Sequence, residues 1–496
     1  MFFKWLLNQM HAKPKLTVAD VLSQCKQSND YTEFLNHQKG FPYILSYYET
    51  LIDADRLNQD VTPYLKKEAK TLEELIEDVP IQNKEISDDP QQIKTKVMQG
   101  FVLLRKKGEG HEVALIEVTM DSGREVQRPE VEFSVSGPQE SFVEALQINI
   151  NLIRKRLPMP QLKVEQLTVG QLTKTKVALL YIEGIANEEN VNTIRQRIDK
   201  IEFDQVIDSN SLAQMITDKS LSIFPQLINT ERPERVAAVL AEGKVAFLCD
   251  GSPEVIFGPS TLVEFFSSLE DYYLTWQIAT FVRLLRFFSL TFSVLATPVY
   301  IAVLTFHYEL IPKDLLATII ASRSNIPLPP FIEAIILELT IELLREAGAR
   351  LPTRIGQTIG IVGGIVIGQA SVEAGLTSNV LLIIVALAAL ASFTTPVYQM
   401  GNTIRLLRFP FMIAAAALGL VGITVCTIYL IVHLLRLTSL GRPYLQPIYP
   451  FRFKDLRDAF VRMPFSWMAE RPQLTRPKDR GRLNFFRANE RRDIDE

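Results

Sequence analysis

The sequence predicts a two-part protein: an α/β (or α+β) soluble N-terminal domain with room for two subdomains, followed by an all-α polytopic membrane domain. Three observations predict it. Lys, Glu and Asp are dense in the first half, whereas long stretches between Phe287 and Leu435 carry no charge at all. Short apolar runs of β type alternate with helical patterns as far as about residue 270. Beyond that point the apolar runs lengthen toward the about 20 residues that a helix needs to cross a bilayer core.

Residues 1–40 are polar and read as an N-terminal tail, opening with MFFKWLLNQMHAK. That apolar run is too short for a signal-peptide core and lacks a small-residue cleavage site, so the soluble domain is expected to stay in the cytosol. Within residues 41–270, Tyr43–Tyr48 reads as a strand and Ala54–Ala69 as a helix. Asp78–Gln92, with Asp88-Asp89-Pro90, reads as a linker. Gly100–Arg105, Glu112–Met120 and Val131–Val135 read as strands, and Glu140–Arg156 has helical spacing of Phe142, Leu146, Ile150 and Ile153. Val177–Ile182 is a buried-strand pattern, Glu188–Ile201 an amphipathic helix, and Pro233–Glu242, Val245–Cys249 and Glu254–Ile256 give helix, strand, strand. Tyr47–Asp53 and Tyr181–Asn187 echo one another between a strand and a helix, which fits either two related subdomains at about 41–160 and 161–270 or a chance similarity.

Bulk properties exclude several function classes. A net charge of −3 gives no case for nucleic-acid binding. Cys25, Cys249 and Cys426 form no CxxC pair, which argues against a zinc site or a disulfide framework. The five histidines make no HExxH signature, and neither GxGxxG nor a P-loop is present. No enzyme, metal or cofactor is expected.

The membrane domain is assigned to residues 271–436. Phe287–Phe306, with Pro298, Val380–Val397 and Pro410–Leu435 read as spans, and Ile355–Ala370 as a shorter one. Gly356, Gly360, Gly364 and Gly368 recur every four residues in that shorter span. They form a stripe that lets another helix backbone approach closely, within one subunit or between subunits. The run Phe331–Leu344 carries Glu333, Glu338 and Glu342, with Arg345 next to them. Glu338 and Glu342 share a helix face. Carboxylates at membrane depth must be paired or face water, so these two either line an ion path, sit in a buried Glu–Arg pair, or lie on an interfacial helix. Gln369 and Glu373, near the end of the glycine helix, are further candidates to line a vestibule.

Arg283 and Arg286 before the first span, and the basic tail 437–496, favour both termini inside. Four crossings satisfy this if Phe331–Leu344 is re-entrant or interfacial, but they leave Arg345, Arg350, Arg354, Arg405 and Arg408 outside. Counting that run as a fifth span brings these arginines inside and expels the tail.

Long segments then resemble the A-subunit family of bacterial spore germinant receptors, the GerA family. They are FPQLINTERPERVAAVLAEGKVAFLCDGSP at 224–253, EDYY at 270–273, LLATIIASRSNIPLPPFIEA at 315–334, IELLREAGARLPTRIGQTIGIVGGIVIGQASVEAGL at 341–376, IRLLRFP at 404–410 and GRPYLQP at 441–447. The segment at 134–157 departs from the pattern, with Ser136 and Gln139 where the family usually has arginine on either side of Gly-Pro. The resemblance implies a multi-pass protein of the spore inner membrane, with a transporter-like B subunit and a lipoprotein C subunit as partners. It also implies a homo-oligomer that acts as a ligand-gated cation channel triggering germination. The alternatives are an amplifying A-type channel that does not itself sense nutrient, a transporter, and a non-conducting scaffold.

Overall fold

The computed structural model describes residues 17–482 apart from 38–40, 67–68, 109–111, 121–128, 130–131, 133–135, 351–363, 365–367 and 454. The described chain divides into two compact units. The first comprises the parts up to Thr217, Leu227–Pro259 and the segment from Ala469; the second comprises Asp218–Gln226 and Ser260–Met468.

The first unit holds two five-stranded sheets. Helix α1 (Val18–Lys26) precedes β1 (Tyr31–Asn36) and β2 (Tyr43–Tyr48); short helical turns over 54–64 and α2 (Leu72–Ile76) lead to β3 (Lys84–Ser87); α3 (Pro90–Met98) leads to β4 (Phe101–Lys106) and β5 (Val113–Glu117). After α4 (Leu146–Arg156) come β6 (Leu162–Val169), β7 (Thr175–Ile182), α5 (Glu188–Asp199), α6 (Ser209–Ile216), β8 (Ile228–Thr230), α7 (Pro233–Ala241), β9 (Val245–Cys249) and β10 (Val255–Gly258). The strand orders are β1-β2-β4-β5-β3 and β6-β7-β9-β10-β8, the same order twice. Every neighbouring pair is antiparallel. The echoed heptapeptides occupy equivalent places. Each ends on a helix N-cap, with the Asp53 carboxylate accepting from Asp55 N–H and the Asn187 side chain accepting from Glu189 N–H.

Both faces of the first sheet are covered. Val102, Leu104, Ala114 and Ile116 meet Leu72, Leu75 and Ile76 on one side. Phe101, Leu103, Val113 and Leu115 meet Val21, Leu22, Cys25, Ile93 and Val97 on the other. Burial on both faces is why these strands read as continuous apolar runs rather than as alternation.

Several expectations need correction. Residues 18–36 are not a tail: α1 opens with a Thr17–Asp20 capping box, and its Val18, Val21, Leu22 and Cys25 stripe is core. Asp88-Asp89-Pro90 is a helix start, with Asp89 as N-cap and Pro90 at N1. The predicted helix 54–69 is a set of short helical turns that ends at Tyr64, and α4 begins at Leu146, after Phe142. The expected strand Val131–Val135 lies largely outside the described residues.

A buried ion pair ties the two sheets together. Arg154 on α4 donates to both Asp30 oxygens at 2.7 Å and to Ser28 Oγ at 3.0 Å, and its guanidinium lies 4.3 Å from the Tyr48 ring centre. Neither Arg154 nor Asp30 is exposed at all. Thr50 Oγ1 also donates to Asp30, Asn151 Nδ2 donates to Thr50 O at 2.6 Å, and Asn29 N–H donates to Val164 O at 3.0 Å.

The C-terminal residues are not a free tail either. Arg471 donates to Ala241 O, Thr475 to Glu242 O, and Lys478 pairs with Glu188, which seats 469–482 on the second sheet's helices.

The second unit is a helix bundle. It contains α8 (Trp276–Phe306), α9 (Lys313–Arg323), α10 (Pro330–Arg350), α11 (Asn379–Ser392), α12 (Tyr398–Leu418) and α13 (Leu420–Leu435). Residues 368–373 are helical as well. The expected single span Pro410–Leu435 is two helices. Gly419 at φ +60 reverses the chain, and Cys426 Sγ returns to 3.8 Å from Pro410 O. Gly422 permits the tight return, since a Cβ there would sit 2.0 Å from Ala414 O.

Contacts identify the two ends of the bundle. At one end Arg283 of α8 binds Asp271 and Asp458, Thr403 of α12 donates to Ile223 O, and His433 of α13 meets Ser222. At the other end His307, just past α8, accepts from Leu420 N–H at the hairpin tip, and Tyr300 meets Ser378 at the start of α11. The segment 437–468 also belongs here: Tyr444 donates to Pro225 O and Tyr272 to Asp458.

Two outcomes are expected for the first unit. Arg154→Met leaves Asp30 buried and unpaired, which costs on the order of 3–5 kcal/mol; deuterium exchange of the full chain should then rise in β1, α4 and β6 well above that of the second unit. Burial pushes the Cys249 thiol up to about 12 and raises Cys25 as well. Both should therefore resist iodoacetamide at pH 8 in the native chain and react after denaturation.

Candidate functional site: acids and arginines inside the helix bundle

Helix α10 is inverted relative to a water-soluble helix. Its buried residues are Glu333, Ala334, Leu337 and Glu338. Glu333 and Glu338 are 0% and 2% exposed, whereas Leu339 and Leu343 are 49% and 70% exposed. The same outward apolar surface continues on α11 through Ile383, Leu387 and Leu390, and on α13 through Val421, Val425 and Ile428. A carboxylate inside and leucine outside is the arrangement expected where the surroundings are hydrocarbon.

Three acids of α10 are held in turn along the bundle. Glu333 pairs with Arg323 at 2.7 Å and accepts from Ser378 N–H at 3.3 Å. Glu338 binds Arg408 of α12 and accepts from Thr297 Oγ1 at 3.1 Å. Glu342 is bound by Arg345 at 2.5 Å and lies 3.4 Å from Arg405 Nε. Arg408 has its remaining donors satisfied by Ser293 O at 2.9 Å, Ser293 Oγ at 2.7 Å and Ala388 O at 3.2 Å. One guanidinium thus joins α8, α10, α11 and α12, using the planar fork that lysine lacks.

Glu338 is accordingly sealed by its partners, and Glu342 is partly open between two arginines. Gln369 Nε2 donates to Glu373 Oε1 at 2.8 Å, and both are exposed. Of the glycine stripe, Gly356 and Gly360 lie outside the described residues. A Cβ on Gly364 would meet nothing within 4 Å, and one on Gly368 would touch Leu382 at 3.7 Å. Sequence reasoning named Arg405 and Arg408 only as topology charges. Their i, i+3 spacing inside an apolar helix is the signal that they face a common partner. Ser293, Thr297 and Ser378 carried no signal of their own. Among the described residues no cluster fits a metal ion.

The sequence profile of the Bacillus/Clostridium GerA spore germination proteins matches residues 19–474. The chain belongs to the GerA family. It is 50% identical to spore germination protein GerQA of Bacillus cereus, over 94% of each chain. It is 46% identical to GerIA of Bacillus cereus over 93% of this chain and 70% of that one. Identity to spore germination protein B1 of Bacillus subtilis is 38%, over 88% and 91%. The crystal structure of the N-terminal domain of the A subunit of the Bacillus megaterium spore germinant receptor GerK3 aligns at 25% identity and a TM-score of 0.36, covering 49% of this chain and 94% of that one. In this GerA protein α8 is long and apolar enough to cross a membrane, whereas α11 and α13 are apolar but shorter.

Replacing Arg408 by Met strands Glu338 in an apolar interior and should lower the detergent-solubilised chain's stability by about 3–5 kcal/mol. Glu338→Leu/Arg408→Met should recover most of that loss. A double-mutant cycle on thermal aggregation temperature measures it, and equal losses in the single and double variants would refute the pairing energy.

Proposed function

We propose that this GerA protein is the A-type subunit of a nutrient germinant receptor in the spore inner membrane, and that copies of it assemble into a ligand-gated cation channel that triggers germination. A transporter-like B subunit and a lipoprotein C subunit are its partners in this reading. The observation that carries it is the inverted helix α10, whose acids are organised inside a bundle with an apolar exterior. Such a bundle supports charge within the membrane without exposing it to lipid. The mechanism is a population shift, in which a liganded partner favours an open arrangement of closely packed helices. Because Glu338 is committed to Arg408, we assign the ion-facing role to Glu342, Gln369 and Glu373, with Glu338 positioning the wall. Gly356, Gly360, Gly364 and Gly368 supply the close helix contact around the pore. The alternatives are an amplifying A-type channel without direct sensing and a non-conducting scaffold.

A multi-pass topology with six crossings accompanies this reading. Helices α8 and α12 run from the Arg283 end to the His307 end, and α10, α11 and α13 run back. Helix α10 ends at the Arg283 end and Ser378 opens α11 at the His307 end, so this reading counts a sixth crossing between them. Arg283, Arg286, Arg345, Arg350, Arg405, Arg436 and Arg442 fall at one end and Lys313 and Arg323 toward the other, so the excess of positive charge marks the Arg283 end as the inside of this reading. This reading counts the α12–α13 hairpin as two crossings, where the four- and five-span schemes count it as one.

Single cysteines test the topology: Y64C and Y449C should label from one face of sealed vesicles and Y308C from the other. Purified chain in liposomes should pass monovalent cations as a defined oligomer, and Gly360→Leu should abolish flux or assembly. A monomer without flux, even beside its B-type partner, leaves the scaffold.

A further inference from the structure

Helix α10 carries more acidic rungs than its neighbour uses. Glu338, Glu342 and Glu346 recur every four residues on one stripe of α10, and α12 offers Arg405 and Arg408 to them. In the register observed, Glu338 holds Arg408, and Glu342 is shared between Arg405 and its own-helix neighbour Arg345. Among the described residues Glu346 is bound only along its own helix, by Arg350 at 2.6 Å, and it is exposed to the surroundings. The two helices run antiparallel, since Arg345 Nη1 reaches Asn402 while Glu338 reaches Arg408.

We infer that α10 has two registers on α12, one helical turn apart, and that the Glu338–Glu342–Glu346 ladder is the device that supplies both α12 arginines with a carboxylate in each. Moving α10 by one turn, about 5.4 Å, toward the His307 end brings Glu342 to Arg408 and Glu346 to Arg405. Glu346 is then shared between Arg350 and Arg405, as Glu342 is now shared between Arg345 and Arg405. Both arginines of α12 hold a carboxylate in either register, while Glu333 gives up its present contacts with Arg323 and Ser378 N–H. Glu338 moves to the level now held by Ala334, next to Glu333, which in the observed register accepts from Ser378 N–H. Arg408 stays where Ser293 and Ala388 fix it, so α10 is the element that moves and α8, α11 and α12 are the frame. Little apolar packing opposes the step, because α10 buries only Ala334 and Leu337 among its apolar side chains. As a gating movement this rests on the channel reading; as a register change it does not.

The test is a cross-link that reports the register. One turn of sliding replaces Arg345 by Ala349 opposite Asn402, so a disulfide between A349C and N402C forms only in the shifted register. The pair is placed in the full chain with Cys426→Ser, oxidised in native membranes, and the linked peptide quantified by mass spectrometry. Glu338→Gln weakens the observed register and should raise the yield at least fivefold, and adding Glu346→Gln should return it to the starting level. Glu346→Gln alone changes an exposed side chain, leaves folding intact, and should lower the basal yield at least threefold; this holds the proposal open to refutation if Glu338→Gln fails to accumulate. An unchanged yield in either single variant, or no reversal in the double one, overturns the ladder. A register shift without cation flux in liposomes retains the ladder and removes the channel, whereas flux without a register shift does the opposite.

Discussion

The contact between Glu338 and Arg408 constrains the rest of the helix bundle. Neither group can be left alone in an apolar interior, where an uncompensated charge costs several kcal/mol. Arg408 therefore needs a carboxylate and further acceptors at one depth. Ser293 and Thr297 on α8, the Ala388 carbonyl on α11 and Glu338 on α10 meet there. That single requirement fixes the depth and rotation of four helices relative to one another. Leucine packing alone specifies neither, because hydrocarbon outside the bundle is as apolar as the leucines inside it.

The same device recurs at the other critical junctions. Arg154, Arg283 and Arg408 head the fully buried side chains by volume. Arg154 joins the two sheets through Asp30, and Arg283 joins the start of α8 to Asp271 and to Asp458 near the C-terminus. In each case a guanidinium fork meets a carboxylate from a distant part of the sequence. A planar ion with several fixed donors rewards one geometry and penalises near misses, so such pairs specify how elements dock more sharply than they stabilise them.

Much of this was legible before the coordinates. The runs Val102–Leu104, Val113–Ile116 and Val245–Cys249 announce strands covered on both faces, and the heptapeptide echo marks two equivalent strand-to-helix corners. What the sequence hid has a physical cause in each case. Helix α1 and β1 looked polar because a short element needs only one apolar stripe, and Val18, Val21, Leu22 and Cys25 are enough. The reversal at Gly419 was invisible because uncharged residues flank it on both sides, so no change of composition marks the hairpin tip. Helix α10 was ambiguous because hydropathy counts charges without knowing which way they face. Once Glu338 points inward, the same acids that argued against a membrane helix argue for one.

This inversion also separates the rigid parts of the bundle from the movable one. Helices α12 and α13 are locked by backbone proximity at Gly422, and His307 holds their tip. Close backbone packing has one register, since a shift of an ångström produces a clash. Helix α10 is attached differently, through carboxylates spaced at one helical turn, with Leu339 and Leu343 turned outward. A periodic set of ionic contacts has as many registers as it has rungs, and each is sharply defined because an arginine between rungs is left unpaired. The most electrostatically specified helix of the bundle is for that reason also the one best able to occupy two discrete positions, which is what a two-state membrane protein requires of a moving part.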